Sequence, residues 1–291
     1  MEKDERGTLR ITLLGTGGPP PLIDRFGPST LVEAGPEKFL FDAGRGTLQR
    51  LFQLEIPFSD ISGLFLTHLH SDHVVGIPDL WLTGWIGQPW GGRKVPLSVW
   101  GPSGTKDMMS HLEKAYQFDI QVRTHNPKDG VVVVADDFNG GVVYEKNGLR
   151  ITAFEVDHGT VKPAYGYRID YAGRSAVLSG DTRFNENVIR FSQGVDLLVH
   201  EVAATTGELL DTSETARIVA GNHTTPEEAA EVFKRVQPKL AVYSHILQFG
   251  GYTPDDIIAS TRKAYSGPFE VGEDLMTIEL GDKVEIRRLK P

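Results

Sequence analysis

The sequence predicts an α/β fold in which two sheets pack together with helices behind each. Short apolar runs with strand character alternate with helical segments along nearly the whole chain. The strand-rich stretches fall into two halves, each with helices behind it, which suits two sheet layers around one core. No linker-like, repetitive or low-complexity tract divides them, so residues 1–291 are expected to form a single domain.

In chain order, the first strand covers 9–14 (LRITLL) and ends in a turn rich in Gly and Pro over 15–21. Strands at 29–33 and 38–41 follow, then a short helix over 47–54. The run GLFLT at 63–67 reads as a buried strand leading straight into His68. The segment 81–92, rich in Trp and Gly, reads as an insertion loop. Further strands are expected at 97–100, 131–135, 142–144, 149–154, 164–169, 175–179, 197–200 and 240–244. Helices are expected at 105–115, 185–191, 214–220, 225–236 and 254–264. Thr225-Pro226-Glu227-Glu228 joins a capping-box pattern to a proline at the first helical position.

Composition narrows the function classes. The apolar fraction of 40% and charged fraction of 24% are those of an ordinary globular protein. A net charge of −9 argues against a polyanion-binding surface, because affinity for nucleic acid rests largely on phosphate neutralisation by Lys and Arg. The chain has no cysteine, which removes thiolate ligands, thiol nucleophiles and disulfides together. Any metal site must then be built from His and carboxylates. The charged start over 1–10 has no apolar stretch behind a basic one, and no apolar run reaches the roughly 18 residues of a membrane span. A cytoplasmic protein is the default expectation; an exported precursor whose leader had been trimmed would read the same way.

The strongest chemical signal is His68-Leu69-His70-Ser71-Asp72-His73, four ligand-type side chains on one tight loop between a strand and a turn at Gly76. Alternation puts His68 and His70 on one side, while Asp72 and His73 can reach a second ion nearby. Imidazole and carboxylate suit zinc, and also iron or manganese. The loop holds three of the chain's nine histidines, so a merely polar surface loop explains it poorly. One loop cannot fill two coordination spheres. His158, Asp181 and His245 each stand just past a strand-like run, where a site on a sheet edge would collect them.

On these residues the chain resembles the metallo-β-lactamase superfamily, in the branch holding ribonuclease Z and the zinc-dependent arylsulfatases. The likeness runs from Leu13 to about His245. It implies a four-layer αβ/βα sandwich and two divalent metal ions, zinc first, with manganese or iron as alternatives. One ion would take His68, His70 and His158, the other Asp72, His73 and His245, with Asp181 bridging. His200-Glu201-Val202-Ala203 resembles the branch's His-Glu-Ala-Thr motif, and Asn222-His223-Thr224-Thr225 its Gly-His-Ser-Thr motif. By that resemblance His223 donates a proton near the leaving group and Glu201 orients it. His200 is left between a structural and a site role, while His111 and His125 read as ordinary surface residues.

The expected reaction is ester hydrolysis, with a hydroxide shared by the two ions attacking a phosphorus or sulfur centre. Asp72 would orient the hydroxide or take its proton, and His223 would protonate the departing oxygen. For the substrate, the reading favours small anionic esters: sulfate esters, as in an arylsulfatase, or phosphodiesters. Ribonucleases of the branch grip tRNA with a long arm between the lone His and the bridging Asp. Here His158 and Asp181 are only 23 positions apart. The stretch from Asp79 to Trp85 is similar to the arylsulfatases, and Trp81 and Trp85 near the metal mouth would stack on an aryl leaving group. The plainer role for clustered Trp is core or interface packing. Nucleic acid is therefore disfavoured as a partner, no membrane is expected, and the resemblance implies a homodimer. The alternatives are a ribonuclease Z-type tRNA 3′ endonuclease and a lactone or β-lactam hydrolase. A degenerate binding module is disfavoured because all seven ligand positions are filled.

Overall fold

The computed structural model describes residues 7–87 and 89–289, and its strands form two sheets. β1 (Leu9–Gly15), β2 (Ser29–Ala34), β3 (Glu37–Phe41), β4 (Gly63–Phe65), β5 (Leu97–Gly101) and β6 (Val133–Asp137) belong to the first. β7 (Gly141–Lys146), β8 (Leu149–Glu155), β9 (Tyr165–Tyr171), β10 (Arg174–Leu178), β11 (Leu197–Ala204), β12 (Leu240–Gln248) and β13 (Phe269–Val271) make the second. β14 (Met276–Leu280) and β15 (Val284–Arg288) return to the first sheet, beside β1.

Pairing is parallel from β3 to β6 and from β10 to β13. Parallel strands are covered on both faces and read as continuous apolar runs. β11 shows it plainly, buried at every position from Leu197 to Ala204. Ile11, Phe39, Phe65, Tyr167, Val199 and Val242 meet in the core between the sheets.

The helices are α1 (Thr47–Gln53), α2 (Ser71–Val74), α3 (Ile77–Trp85), α4 (Thr105–Ala115), α5 (Gln117–Val122), α6 (Glu186–Phe191), α7 (Gly207–Thr212), α8 (Glu214–Ala220), α9 (Pro226–Val236) and α10 (Pro254–Arg262). α1, α3 and α4 pack Leu51, Leu80 and Met109 behind the first sheet. α6, α9 and α10 pack Val188, Phe233 and Ile257 behind the second. The result is the expected order of layers, helix, sheet, sheet, helix. Thr225 and Glu228 form the expected capping box. No helix among the described residues is long and apolar enough to cross a membrane.

α2, α5, α7 and the strands β13 to β15 have no counterpart among the expected segments, and one expected loop is in part a helix. The segment 81–92 does not begin as a loop, because α3 runs through Trp85. Gly84, a helix breaker by composition, instead makes room for a guanidinium: a Cβ there would lie 2.1 Å from Arg93 Nη2. Buried Arg93 donates to the carbonyls of Leu80 at 3.1 Å and Trp81 at 3.4 Å, and burial lowers its pKa to about 10. The guanidinium is thereby tied to the middle of α3.

Candidate active site

The chemistry-bearing residues collect where parallel strands end. β4 runs into Thr67, whose backbone N–H and hydroxyl donate to Asp42 Oδ1 and Oδ2 at 2.8 and 2.9 Å. Asp42 itself directly follows β3. This clasp fixes the chain just before buried His68, and His70 follows at the exposed mouth. The single turn of α2 then turns Asp72 and His73 inward, both buried. Gly44 passes beneath that turn so closely that a Cβ would sit 2.6 Å from the Asp72 carbonyl oxygen.

The second sheet delivers the remaining ligands. His158 follows β8, and its Nδ1 donates to the Asn222 carbonyl at 2.9 Å. Asp181 follows β10 after Gly180, whose φ is 61°. His245 is not beyond its strand but inside β12, at a bulge. Glu201 pairs with Ser244 and Val202 with Ile246, which leaves His245 as the extra residue, with φ of 43°. A bulge re-aims one side chain without ending the strand.

Asp181 Oδ2 lies 3.2, 3.3, 3.8 and 3.9 Å from the Nε2 atoms of His245, His73, His68 and His158. Asp72 Oδ2 lies 3.5 and 3.6 Å from Nε2 of His245 and His73. Donor atoms within 4.8 Å of one another form three groups among the described residues: His68, His70, His158 and Asp181; Asp72, His73 and His245; and Asp181, His223 and His245. The first two make the division the resemblance implies, with Asp181 within reach of both, while the third brings His223 to the same centre.

Five buried atoms in these groups have no hydrogen-bond partner: Nε2 of His68 and His73, both ring nitrogens of His245, and Asp72 Oδ2. Leaving such an atom unpaired costs about 1–3 kcal/mol, so their convergence fits metal coordination. In His73 and His68 the ring atom facing away is held. His73 Nδ1 meets Asp42 Oδ2 at 2.8 Å and His68 Nδ1 meets Thr67 Oγ1 at 3.0 Å, contacts that fix ring orientation and leave Nε2 for a cation. Burial holds the pKa of His68 well below its ordinary value and lowers those of His70 and His158, favouring the neutral, ligating imidazole. Burial opposes charge on Asp181, but His245, His73 and His68 outweigh it and hold the carboxyl well below the usual range.

His223 stands beside the metal groups at the mouth, its ring 4.9 Å from that of His158 and stacked 5.5 Å from that of His245. Its Nδ1 meets Glu201 Oε1 at 3.0 Å, and the backbone N–H groups of Thr182 and Thr224 donate to the same oxygen at 3.0 and 3.3 Å. Burial works against a charged His223, yet the Glu201 carboxylate overcomes it and pushes the pKa up to about 9. His200 does not join the site. Buried, it donates from Nδ1 to the Glu201 carbonyl at 2.7 Å and packs edge-on against Phe233. His111 and His125 are exposed.

Trp81 and Trp85 are corrected. They are 1% and 2% exposed, in the core behind the first sheet, with indole N–H groups donating to the carbonyls of Val131 and Pro127 at 2.8 and 2.7 Å. Neither faces the metal groups, so neither can stack on a substrate. The cleft over the ligands is walled instead by Pro19, Pro20, Val219, Leu247 and Phe249. The loop bearing the prolines is anchored from far along the chain. Asp274 accepts from the N–H of Thr16 at 2.9 Å and of Phe26 at 2.8 Å, and pairs with Arg50 at 2.9 Å. Sequence reasoning missed Asp42, Thr67 and Phe249, and met Asn222 only as the first residue of the His223 motif. Of the three, Asp42 alone left a trace, as a carboxylate directly after the apolar run Phe39-Leu40-Phe41.

The family described as the beta-lactamase superfamily domain matches residues 37–246. A protein of Mycolicibacterium gilvum (strain PYR-GCK) named Ribonuclease Z is 35% identical over 280 residues, covering 94% of this chain and 96% of the relative. The chain belongs to the metallo-β-lactamase superfamily, in its ribonuclease Z-like branch. A second Ribonuclease Z, from Mycobacterium tuberculosis (strain ATCC 25177 / H37Ra), is 33% identical over 278 residues, covering 94% of this chain and 98% of the relative. Among solved structures, the short form of human tRNase Z superposes with a TM-score of 0.70 at 23% identity, covering 92% of this chain and 98% of that one. A metallo-β-lactamase fold protein from Bacillus subtilis gives 0.75 at 19% identity, covering 94% and 99%. These two likenesses concern the fold.

The relatives overturn two expectations. Neither the arylsulfatase or small-phosphodiester reading nor the expectation that nucleic acid is an unlikely partner stands, since the metallo-β-lactamase relatives that match nearly end to end are named Ribonuclease Z, the reading held as an alternative. The missing arm excludes nothing, for a reason of length. Alignments covering 94% of this chain and 96–98% of the relatives leave no room in them for a long arm that this chain lacks. Net charge fails too, because it sums the whole surface and says nothing of one cleft.

Proposed function

We propose that this protein is a metal-dependent endoribonuclease of the ribonuclease Z kind, cutting precursor tRNA at its 3′ side. The observation that carries the reading is the near-full-length identity of 33–35% to proteins named Ribonuclease Z. The site suits such a reaction. His68, His70 and His158 would hold one divalent ion and Asp72, His73 and His245 the other, with Asp181 shared and zinc the first choice of metal. Bound there, such ions make hydroxide available near neutral pH and neutralise charge building on phosphoryl oxygens.

The chain's own residues supply the proton handling. Cutting RNA expels a ribose oxygen, a poor leaving group that needs a proton as the bond breaks. His223 is placed to give it. Glu201 engages Nδ1 at 3.0 Å and leaves Nε2 to carry the transferable proton in the cleft. Asp72 Oδ2, buried beside His73 and His245, is placed to orient the attacking water or take its proton.

The test is to load the purified protein with zinc and incubate it with a precursor tRNA bearing a 3′ trailer, with a chelated sample as control. The expected result is trailer removal by the loaded protein only. An intact precursor, under conditions where bis-p-nitrophenyl phosphate is turned over, would overturn the reading. His223→Ala should cost about 10²–10⁴-fold on RNA, and far less on a diester with a p-nitrophenolate leaving group. Metal content should stay unchanged; its loss in that variant would make His223 a ligand instead.

A further inference from the structure

β12 does not stop at its ligand. Past the bulge at His245 the alternation of faces resumes, and the two directions differ in what they meet. Ile246 packs into the core behind the second sheet, while Leu247 and Phe249 turn to the side of His245 and line the cleft. Gly18 lies so close that a Cβ there would meet Leu247 Cδ2 at 2.3 Å and the His245 ring at 3.4 Å. That approach sets the stiff pair Pro19-Pro20 against the same cleft.

Phe249 differs from every other buried or half-buried phenylalanine among the described residues. The others pack into one of the three apolar cores or lie under a guanidinium. Phe249 does neither and meets no other aromatic ring, although it is half-buried. Its hydrogen bonds are through the backbone, with its N–H donating to the Ala204 carbonyl at 2.9 Å and its carbonyl accepting from Tyr252. An aromatic face that the fold itself does not use thus stands among apolar walls, in the same cleft as the residues that would hold a phosphodiester.

We propose that Phe249, with Pro19, Pro20 and Leu247, forms a slot that stacks a nucleobase within two nucleotides of the cut bond. The inference rests on the ribonuclease reading above. Single-stranded RNA is commonly bound by splaying a base onto an aromatic side chain. The four side chains carry no charge and no hydrogen-bonding group, so the slot fits a base rather than a phosphate. It requires a base without choosing which one, since every base has a π-face.

The experiment is a double cycle. Precursor tRNA is made with a single abasic nucleotide at each of the two positions on either side of the cut, and cleavage is measured with the unaltered protein, Phe249→Ala and Phe249→Tyr. Phe249→Ala should lower kcat/KM on intact precursor by about ten- to a hundredfold, and Phe249→Tyr should restore most of it. At one abasic position Phe249→Ala should have no further effect. A 2-aminopurine at that position, bound to chelated protein, should be quenched by the unaltered protein and stay bright with the Phe249→Ala variant. An equal loss on intact and on all abasic precursors, or no loss at all, overturns the slot and leaves the ribonuclease reading in place. If the unaltered protein cuts no RNA, the ribonuclease reading falls and the slot falls with it.

Discussion

Residues 68–73 and helix α3 are neighbours in the chain, and both draw the eye in the sequence, yet they do opposite work. The first puts His68, His70, Asp72 and His73 around one point, with unpaired donor atoms converging. The second puts Trp81 and Trp85 into the core, where each indole N–H finds a backbone carbonyl. The difference lies in the cost of burial. Several imidazoles and carboxylates without partners are expensive to bury, so their clustering calls for a ligand. A tryptophan is cheap to bury once its N–H is satisfied, so a cluster of them carries no such demand.

Variants can break or sharpen this contrast. The largest effect is expected at the loop. Asp72→Ala should lower activity by several orders of magnitude with loss of bound metal, while the melting temperature of the chelated protein barely moves. A large drop in that temperature would show the loop to be structural after all. Trp81→Ala should do the reverse, costing about 3–5 kcal/mol of stability, or roughly 10 °C in Tm, with the rate per folded molecule unchanged. A stable Trp81→Ala protein with a raised KM would return Trp81 to the substrate.

Asp42 is where the contrast blurs, because its carboxylate serves both the clasp on Thr67 and the ring of His73. Asp42→Asn should weaken metal affinity by about 10–100-fold, with activity recovered at high zinc. Titration of metal against a competing chelator reads this directly. The smallest effect is on pH dependence. Glu201 raises the pKa of His223, so the proton donor persists to about 9 and activity falls above that. Glu201→Gln removes the charge, so the basic limb of the kcat/KM profile should move to lower pH. A limb that stays put would assign it to another group.

Much of this was legible in the sequence where a local pattern carries a physical demand. The parallel strands β3 to β5 and β10 to β12 show as apolar runs because they are covered on both faces, whereas β13 to β15 went unread. The ligands of the first sheet sit on one loop, and those of the second are marked by the strands they follow. Other features had no local mark. α3 was hidden by Gly84, whose purpose is visible only once Arg93 is folded against it. The bulge at His245 depends on how β12 pairs with β11, a relation no single segment contains. Asp42 acts through Thr67 and His73, 25 and 31 positions further on. The substrate was misread because absence of an arm and net charge are properties of the whole chain, whereas recognition is decided in one cleft.

The anchor at Asp274 bears on the order in which a new chain becomes competent. All seven proposed ligands have left the ribosome's catalytic centre by the time residue 245 is added, but the carboxylate that ties down the Pro19-Pro20 loop comes 29 residues later. Synthesis from the N-terminus therefore completes the set of metal donors before it completes the wall that faces the substrate.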